Sequence, residues 1–258
     1  MTLGRFTWNL VPGKAFGPGR YLAMAGRVLK AIVFDIDGTL YRQTPLRRAM
    51  LFRLVAAHAA NPFEGWRTMS ALRAYRNAQE HLRGDASSRG DSPDNIATAQ
   101  LRLASERSGI DCAALSACVE RWMEREPLPL LSRCIQPGLR EFLAACRERG
   151  LRLGALSDYP ADAKLKALGV ADYFDVSLCA QAPEIGVFKP DPKGLRVALE
   201  RLGTDAADAL YVGDRVDVDA AAAKSAGVAC AIITRSSTPS PETHFVVESF
   251  AQLRNRIF

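Results

Sequence analysis

The sequence lacks several features that would place the protein in a common class. No apolar run reaches the roughly 18 residues that a membrane-spanning helix needs, so we expect no integral membrane span. No basic run, aromatic platform or zinc-finger spacing accompanies the net charge of +6 and the pI near 9.1. We therefore expect no nucleic-acid partner. The mildly basic charge is still compatible with a small anionic substrate.

Cysteine and histidine are also scarce. The 258 residues include six cysteines and three histidines. No cysteine forms a Cys-x-x-Cys pair or lies at zinc-site spacing from a histidine. A chain of this length does not need disulfides to supplement its core, so we expect reduced thiols and a cytoplasmic protein. Neither a Gly-x-Ser-x-Gly motif nor a Walker-type loop is present.

The first segment of the chain lacks acidic residues altogether. Residues 1–29 carry several basic residues and the sequence VPGKAFGPGR, which is too rich in proline and glycine for a secretory signal. We predict a basic, loosely structured N-terminal extension. Met24 is an alternative start, because the hydrophobic pattern of the fold begins only after it.

A short apolar segment then runs into two aspartates, in the sequence AIVFDIDGTLY at residues 31–41. Continuous apolar runs of this kind are typical of strands buried on both faces of a parallel sheet. Residues i and i+2 share a side of extended backbone, so Asp35 and Asp37 are predicted to share a side where the strand ends. An Asp-Gly turn explains Asp37 and Gly38. It does not explain Asp35, whose charge would be costly there unless it is offset.

Strand and helix patterns alternate along the second half of the chain, whereas the segment after the first strand shows helical patterns alone. Such alternation predicts right-handed crossovers and a parallel sheet. We predict an α/β fold: a doubly wound parallel sheet, with a Rossmann-like core at residues 30–43 and 134–258. An all-helical cap domain is predicted at residues 44–133. The polar segment 84–95 is predicted to be a mobile loop within it.

Polar side chains follow three of the predicted strands. Asp35 and Asp37 follow the first, Ser157 and Asp158 the second, and Asp214 a third. Ser157 or Asp158 alone would be interpreted as a helix cap. Because ligands bind outside the carboxyl ends of parallel strands, three strands ending in this way predict one site.

The residue types at this site favour phosphate chemistry. Three carboxylates, from Asp35, Asp37 and Asp214, cannot all stay ionised without a counter-charge. Carboxylate oxygens suit Mg²⁺, which binds through one or two of them and a phosphate. Lys189, held in extended backbone by the proline after it, could supply a fixed ammonium for a phosphate. The Ser157 hydroxyl suits a phosphoryl oxygen.

The sequence resembles the haloacid dehalogenase superfamily of phosphatases and related hydrolases. FDIDGTLY is similar to the first family motif, Ser157 in LSD to the second, Lys189 in KPDP to the third and VGDRVDVDAA to the fourth. These motifs follow the family's order over residues 31–43 and 134–235. The helical block resembles the cap that the phosphoglycolate-phosphatase-like type inserts after the first motif.

The resemblance implies a role for each matching residue. Asp35 is expected to be the nucleophile that forms an aspartyl-phosphate. Asp37 is expected to protonate the leaving alcohol and then to activate water. Thr39 and Ser157 are expected to bind phosphoryl oxygens, and Lys189 to balance charge on the nucleophile and the phosphate.

The resemblance also implies Mg²⁺ as the cofactor. Asp214 would hold it together with the Asp35 carboxylate and the backbone carbonyl of Asp37. Asp219 would support the metal shell, and Asp217 is a less favoured substitute for it. The expected function is a Mg²⁺-dependent phosphatase that hydrolyses a small organic phosphomonoester, such as a phosphorylated metabolite.

Three further functions remain open from the sequence. A phosphomutase would share the aspartyl-phosphate chemistry. A non-catalytic binding protein is disfavoured by the complete motif set, and a dehalogenase is disfavoured because that branch lacks the second aspartate, Asp37. Asp158 stands where many members of the family have asparagine. It adds negative charge beside the phosphate, and it could instead cap the following helix or tune the leaving-group pocket.

Substrate identity is expected to depend on the cap, because the core residues contact only phosphate. Arg42, Arg47 and Arg48 lie where the chain enters the cap. We hypothesise that one of them, with Arg47 and Arg48 preferred, binds an anionic tail of the substrate. A basic, solvated helix face explains these residues equally well.

Overall fold

The computed structural model describes residues 23–24, 27–84, 95–234 and 243–258. Within them, a hairpin of two short strands precedes one six-stranded sheet. In chain order the strands are β1 (Ala23–Met24), β2 (Arg27–Val28), β3 (Ala31–Phe34), β4 (Arg152–Ser157), β5 (Val176–Cys179), β6 (Ala209–Gly213), β7 (Ala229–Ile233) and β8 (Phe245–Val247). The order across the larger sheet is β5-β4-β3-β6-β7-β8, with every neighbouring pair parallel.

The position of β3 in the middle of this sheet follows from its composition. All four of its residues are apolar and 0% exposed, as expected of a strand covered on both faces. The chain continues from β3 to β4 and β5 on one side and then crosses to β6, β7 and β8 on the other. Such a reversal opens a crevice at the carboxyl ends of the strands. The predicted doubly wound α/β fold is confirmed.

Helices cover both faces of the sheet and form the insert after β3. The α-helices of the described residues are α1 (Gln43–Ala57), α2 (Pro62–Gly84), α3 (Ile96–Ser108), α4 (Cys112–Val119), α5 (Leu128–Cys134), α6 (Leu139–Glu148), α7 (Asp162–Leu168), α8 (Lys193–Leu202), α9 (Ala221–Ala226) and α10 (Phe250–Ile257). A π-helical segment, Glu120–Arg125, continues α4, and a second one, Val216–Ala220, leads into α9.

The two faces of the sheet bury different side chains. On one face Phe34 packs against the rings of Phe142 and Phe250, with centroids 6.2 and 6.3 Å away. On the other face Val33 and Tyr211 belong to a second buried cluster. The insert has a smaller cluster of its own, formed by Ala71, Tyr75, Ala78, Ala104, Leu115 and Val119. The sheet domain therefore holds most of the apolar core.

The insert begins and ends at adjacent points of the fold. Tyr41 and Ile135 form an isolated antiparallel bridge, which brings its entry and exit together. The last helix of the insert, α5, packs on α7, and its Leu131 is part of the buried cluster beneath the sheet. Packing thus continues across residue 133, the boundary drawn from the sequence, and the domain limits stay a prediction.

Among the residues that the structure describes, no helix is long and apolar enough to cross a membrane. All six cysteines are free thiols, in line with the reduced state predicted from the sequence; the cytoplasmic location stays a prediction. Most of the predicted N-terminal extension and residues 85–94 of the predicted loop lie outside the described residues.

Candidate active site

Asp35 follows β3 directly and lies at the carboxyl edge of the sheet. Its backbone N–H donates to the carbonyl of Val212 at 2.8 Å, which extends the strand pairing up to this residue. Its side chain is buried, with Oδ1 accepting from Lys189 Nζ at 2.5 Å and Oδ2 from Thr39 Oγ1 at 2.9 Å. The Lys189 ammonium therefore offsets the negative charge of Asp35, for which the sequence alone gave no partner.

Three carboxylates meet beside this position. Oxygen atoms of Asp35, Asp214 and Asp219 lie within 4.8 Å of one another. Oδ2 of Asp219 accepts from the backbone N–H groups of Asp214 at 3.2 Å and Arg215 at 3.0 Å, so the loop after β6 folds back on itself. A Cβ on Gly213 would lie 2.4 Å from the Cβ of Asp219. This tight loop therefore requires glycine at residue 213.

Gly38 permits an equally close approach from the first motif. Its φ of +111° is rarely adopted by residues with a side chain, and a Cβ there would lie 2.0 Å from Asp214 Oδ2. The neighbouring carbonyl of Asp37 accepts from Gln43 Nε2 at 2.5 Å. The turn after β3 thus packs against Asp214 and the start of α1.

The carboxylate cluster has an excess of negative charge. Burial, together with the charges of Asp35 and Asp219, raises the pKa of Asp214 to about 8. Burial also raises the pKa of Asp35 to about 6, although the Lys189 ammonium acts in the opposite direction. Hard oxygen ligands and unbalanced negative charge are what a divalent cation such as Mg²⁺ requires. These three residues therefore fit a magnesium ion.

Lys189 is a buried residue that links two of these carboxylates. It is 4% exposed, and its Nζ donates to Asp35 Oδ1 at 2.5 Å, Asp219 Oδ1 at 2.7 Å and the Tyr211 hydroxyl at 3.2 Å. Burial alone would lower the pKa of this lysine, but the charges of Asp219 and Asp35 outweigh it and raise the pKa well above its usual value. Lys189 is therefore a fixed positive charge inside the site.

Asp37 lies on the other side of the first motif, in contact with a second lysine. Lys164 Nζ donates to both carboxylate oxygens of Asp37 at 2.7 Å, Ser157 Oγ donates to Oδ2 at 3.0 Å, and the Tyr41 hydroxyl donates to Oδ1. Burial would raise the pKa of Asp37, but Lys164 and these hydrogen bonds lower it below its usual value. The carboxylate that the sequence assigned to acid–base work is thus held in a fixed orientation.

Lys164 and Tyr41 were not among the residues predicted from the sequence. Lys164 is buried on α7, between the buried residues Ala161 and Leu168 at helical spacing. A lysine on the apolar stripe of a short helix, just after a strand-end motif, is a signal that could have been used. Tyr41 follows Asp37 by four residues and has no comparable signal.

Asp158 contacts the insert. Its buried carboxylate accepts from Gln79 Nε2 at 3.2 Å, from the Arg83 guanidinium and from the backbone N–H of Lys189 at 3.3 Å. The first turn of α7 has no side-chain cap, so Asp158 does not serve as the helix cap that the sequence suggested. Its negative charge is instead paired with a cation from α2.

The remaining candidates separate clearly in the structure. Asp219 reaches the carboxylate cluster, whereas Asp217 is exposed and pairs with Arg215 at 2.6 Å. Arg47 lies on the wall of the cavity above the site, and Arg48 is exposed to solvent on α1. Of the two arginines proposed to bind substrate, the structure brings Arg47 towards the site.

A cavity of about 780 Å³ connects the site to the insert. Its floor is formed by the strand-end residues, including Asp35, Asp37 and Asp214, and its walls come from α1, α2 and the π-helical segment after α4. A volume of this size is typical of sites for small organic ligands. The fold and site together define an enzyme that binds a small ligand at the edge of a parallel sheet.

The comparisons with known proteins identify its family. A family model of haloacid dehalogenase-like hydrolases matches residues 29–227. The chain is 31% identical to a phosphoglycolate phosphatase of Rhodospirillum rubrum, over 87% of this chain and 89% of that protein. It is 30% identical to a phosphoserine phosphatase of Thermus thermophilus, over 82% of this chain and 91% of that protein. The chain belongs to the haloacid dehalogenase-like hydrolases, which confirms the family predicted from its motifs.

Solved structures agree with this assignment. A HAD phosphatase from Thermococcus onnurineus superposes with a TM-score of 0.55 at 25% identity, covering 88% of this chain and 97% of that one. The L-2-haloacid dehalogenase of Xanthobacter autotrophicus gives a TM-score of 0.61 at 22% identity, covering 88% and 98%, and shows a shared fold. The fold alone is therefore common to members with different reactions.

Proposed function

We propose that this hydrolase is a Mg²⁺-dependent phosphatase that cleaves a small organic phosphomonoester through an aspartyl-phosphate. The observation that carries the proposal is the pairing of two aspartates with two lysines. Asp35 lies against Lys189 at 2.5 Å, and Asp37 lies against Lys164 at 2.7 Å. Asp35 lies among acidic groups that suit a metal, and Asp37 lies outside that carboxylate cluster with a cation of its own, which supports separate roles in nucleophilic attack and proton transfer.

In the first step, an oxygen of Asp35 attacks phosphorus and the bond to the alcohol oxygen breaks. Lys164 lowers the pKa of Asp37 in the free site, and the negative charge of a bound phosphate acts in the opposite direction. Asp37, protonated when the ester binds, gives its proton to the alcohol oxygen, so a neutral alcohol leaves. In the second step, water attacks the phosphorus of the aspartyl-phosphate, and Asp37 takes the proton from water. The carboxylate of Asp35 is restored, phosphate leaves, and Asp37 is protonated for the next turnover.

Other residues of the site hold the phosphoryl group. Lys189 is a fixed point charge beside the nucleophile and can balance charge on the transferring phosphate. Thr39 and Ser157 present hydroxyl groups next to Asp35 and Asp37 respectively. Because phosphoryl transfer depends mainly on alignment and charge stabilisation, these fixed donors are the contribution that the chain itself makes.

Asp35, Asp214 and Asp219 are the side chains that would hold Mg²⁺, with the carbonyl of Asp37 as a further oxygen. When bound, Mg²⁺ would polarise phosphoryl oxygens and neutralise negative charge. Asp219 also accepts from Lys189 and from the loop backbone. Its part is therefore to fix the loop around Asp214 as well as to add negative charge.

The relatives support a phosphatase over a phosphomutase or a dehalogenase. They include phosphoglycolate, phosphoserine and glyceraldehyde 3-phosphate phosphatases, the last from Methanopyrus kandleri and 29% identical. All are phosphomonoesterases of phosphorylated metabolites. The presence of Asp37 supplies the acid that a halide leaving group would not need.

The test is phosphate release from a panel of phosphomonoesters, with Mg²⁺ and with EDTA. We expect turnover that requires the metal and that Asp35→Asn reduces at least about a thousandfold, because the nucleophile is removed. Asp217→Asn is the matched control, since Asp217 lies outside the cluster and should leave turnover unchanged. Metal-independent turnover, or an active Asp35→Asn enzyme, would contradict the proposal. Circular dichroism of each variant checks that it is folded.

A further inference from the structure

The cavity changes character from one end to the other. The end at the strand edges is lined mainly by charged residues, whereas the part inside the insert adds, beside the charged Arg73, Glu120, Glu124 and Arg125, the apolar residues Leu51, Leu54, Met69, Leu72 and Trp122. We call these five residues the apolar end. Leu51 and Leu54 come from α1, Met69 and Leu72 from α2, and Trp122 from the π-helical segment after α4. Three separate elements therefore contribute apolar side chains to one wall region.

The apolar end lies well beyond the reach of a two- or three-carbon alcohol. Gln43, at the start of α1, donates to the Asp37 carbonyl, and Leu54 follows it by eleven residues, or about 16 Å along the helix. On α2, Arg83 pairs with Asp158, and Leu72 precedes it by the same eleven residues. Both helices thus give the same separation between the catalytic edge and the apolar end.

Contacts at the end of the α1–α2 hairpin hold Trp122, the residue that the π-helical segment contributes to the apolar end. The ring of Trp122 lies 5.6 Å from that of His58, just after α1, and His58 Nε2 lies 3.4 Å from Thr68 Oγ1 on α2. Trp122 is 5% exposed. The indole is therefore a buried wall at the hairpin end of the cavity, with a fixed position.

Two residues of the apolar end are open to solvent. Leu51 is 51% exposed and Met69 is 40% exposed, although both line the cavity. Concave apolar surface left in water is where an apolar ligand gains most from burial. Arg47, Arg73 and Arg76 are exposed along the same walls.

We propose that the alcohol part of the substrate ends in an extended apolar group, an alkyl chain or an aromatic ring, which fills the apolar end. The phosphate then lies at the carboxylates, and the intervening part of the alcohol spans the cavity. This inference rests on the proposed phosphatase activity and names the substrate class for that same site.

The test is a series of unbranched alkyl phosphates, from ethyl to decyl phosphate, assayed with Mg²⁺ by phosphate release. Each methylene that enters the apolar end should raise kcat/KM by up to about fourfold, so decyl phosphate should exceed ethyl phosphate by about tenfold once two methylenes enter. A parallel series with a terminal carboxylate tests the arginines. If only the carboxylated esters gain with length, the inference is wrong and the distal site binds an anion.

Variants at the exposed residues sharpen the test without disturbing the buried core. Leu51→Glu and Met69→Glu should lower kcat/KM for decyl phosphate at least about tenfold more than for ethyl phosphate, because they place a charge in the path of the chain. Val55→Glu is the matched control. Val55 is 59% exposed on α1 but does not line the cavity. In the Val55→Glu variant, kcat/KM should therefore depend on the length of the alkyl chain as it does in the wild type.

The outcomes separate this inference from the function on which it rests. Turnover of short esters with no dependence on chain length overturns the inference and leaves the phosphatase proposal standing. An identical length dependence in Leu51→Glu, Met69→Glu and the wild type also overturns it. No phosphate release from any ester, by protein with a folded circular dichroism spectrum, overturns both.

Discussion

The charged side chains at the strand ends are buried against one another, whereas the apolar side chains of the insert lie partly exposed around the same cavity. Lys189 is 4% exposed between Asp35 and Asp219. Leu51 and Met69 line that cavity and are 51% and 40% exposed, and Phe52, Phe63 and Trp66, elsewhere on α1 and α2, are each more than half exposed. The sheet domain buries its polar groups, and the insert exposes apolar ones, which reverses the usual arrangement in both regions.

The contrast separates two tasks. Buried, paired charges cannot move apart without leaving an uncompensated charge out of water, so these groups keep fixed positions. Partly exposed apolar side chains lose little when they rearrange, so the insert can adapt to the shape of a substrate. We therefore expect the rigid sheet edge to carry out the reaction and the adaptable insert to select the substrate.

The largest effect is expected from a side chain added to the turn that packs against Asp214 at the sheet edge. Gly38→Ala should reduce kcat at least about a hundredfold, because its Cβ would lie 2.0 Å from Asp214 Oδ2 and would displace that carboxylate. Gly84→Ala, at the end of α2, is the matched control, since a Cβ there meets nothing within 4 Å. Steady-state kinetics of the two proteins checks the prediction; equal activity would contradict it.

The next largest effect is expected at the contact between the insert and the sheet domain. Arg83→Ala should lower the free energy of unfolding by about 2 kcal/mol, because it leaves the buried Asp158 carboxylate without its cation. Arg67→Ala removes an exposed pair with Glu64 on the same helix and should cost less than about 0.5 kcal/mol. Urea denaturation measures both. Equal losses would show that burial does not set the strength of these pairs.

Removing the second lysine should have a smaller effect on catalysis. Lys164→Met should lower kcat about tenfold with little change in KM, because Asp37 loses the ammonium that orients both of its oxygens. Lys166→Met, on the exposed side of α7, is the control and should behave as the wild type. A rise in KM with unchanged kcat would instead assign Lys164 to substrate binding.

The smallest expected effect is at the entrance of the insert. Arg47→Ala should raise KM for an anionic phosphomonoester about threefold, since Arg47 is exposed and its charge is screened by water. Arg48→Ala, one residue further along α1, should leave KM unchanged. Kinetics with one anionic and one neutral ester measures the difference. Unchanged KM in both variants would exclude the two arginines from substrate binding.

Local rules were sufficient to predict much of the catalytic edge. Asp35, Asp37, Ser157 and Asp214 were placed together because each ends an apolar run and parallel strands end at one edge. The apolar run before Asp35 required a buried strand, and the alternation that follows required a parallel sheet. These are properties of neighbouring residues, so periodicity is enough to show them.

Contacts between distant segments were outside the reach of those rules. Lys164 meets Asp37 across 127 residues of sequence, and Arg83 meets Asp158 across 75. Each pair depends on how two helices sit against the strand ends, which no local pattern specifies. Of the alternatives that the sequence left open for Asp158, the helix cap is wrong for this reason, since its partner comes from a helix of the insert.

The sequence by itself determined the order of strands and helices, the carboxylates at the strand ends and the family of the chain. The spacing of apolar residues and the residue preferences of turns act over a few residues, so the sequence shows them directly. Only the tertiary structure decided which lysine holds Asp37, that Asp219 and not Asp217 joins the carboxylate cluster, and where the cavity becomes apolar. Those outcomes depend on packing between elements far apart in the chain, where small differences in helix position decide which side chains meet.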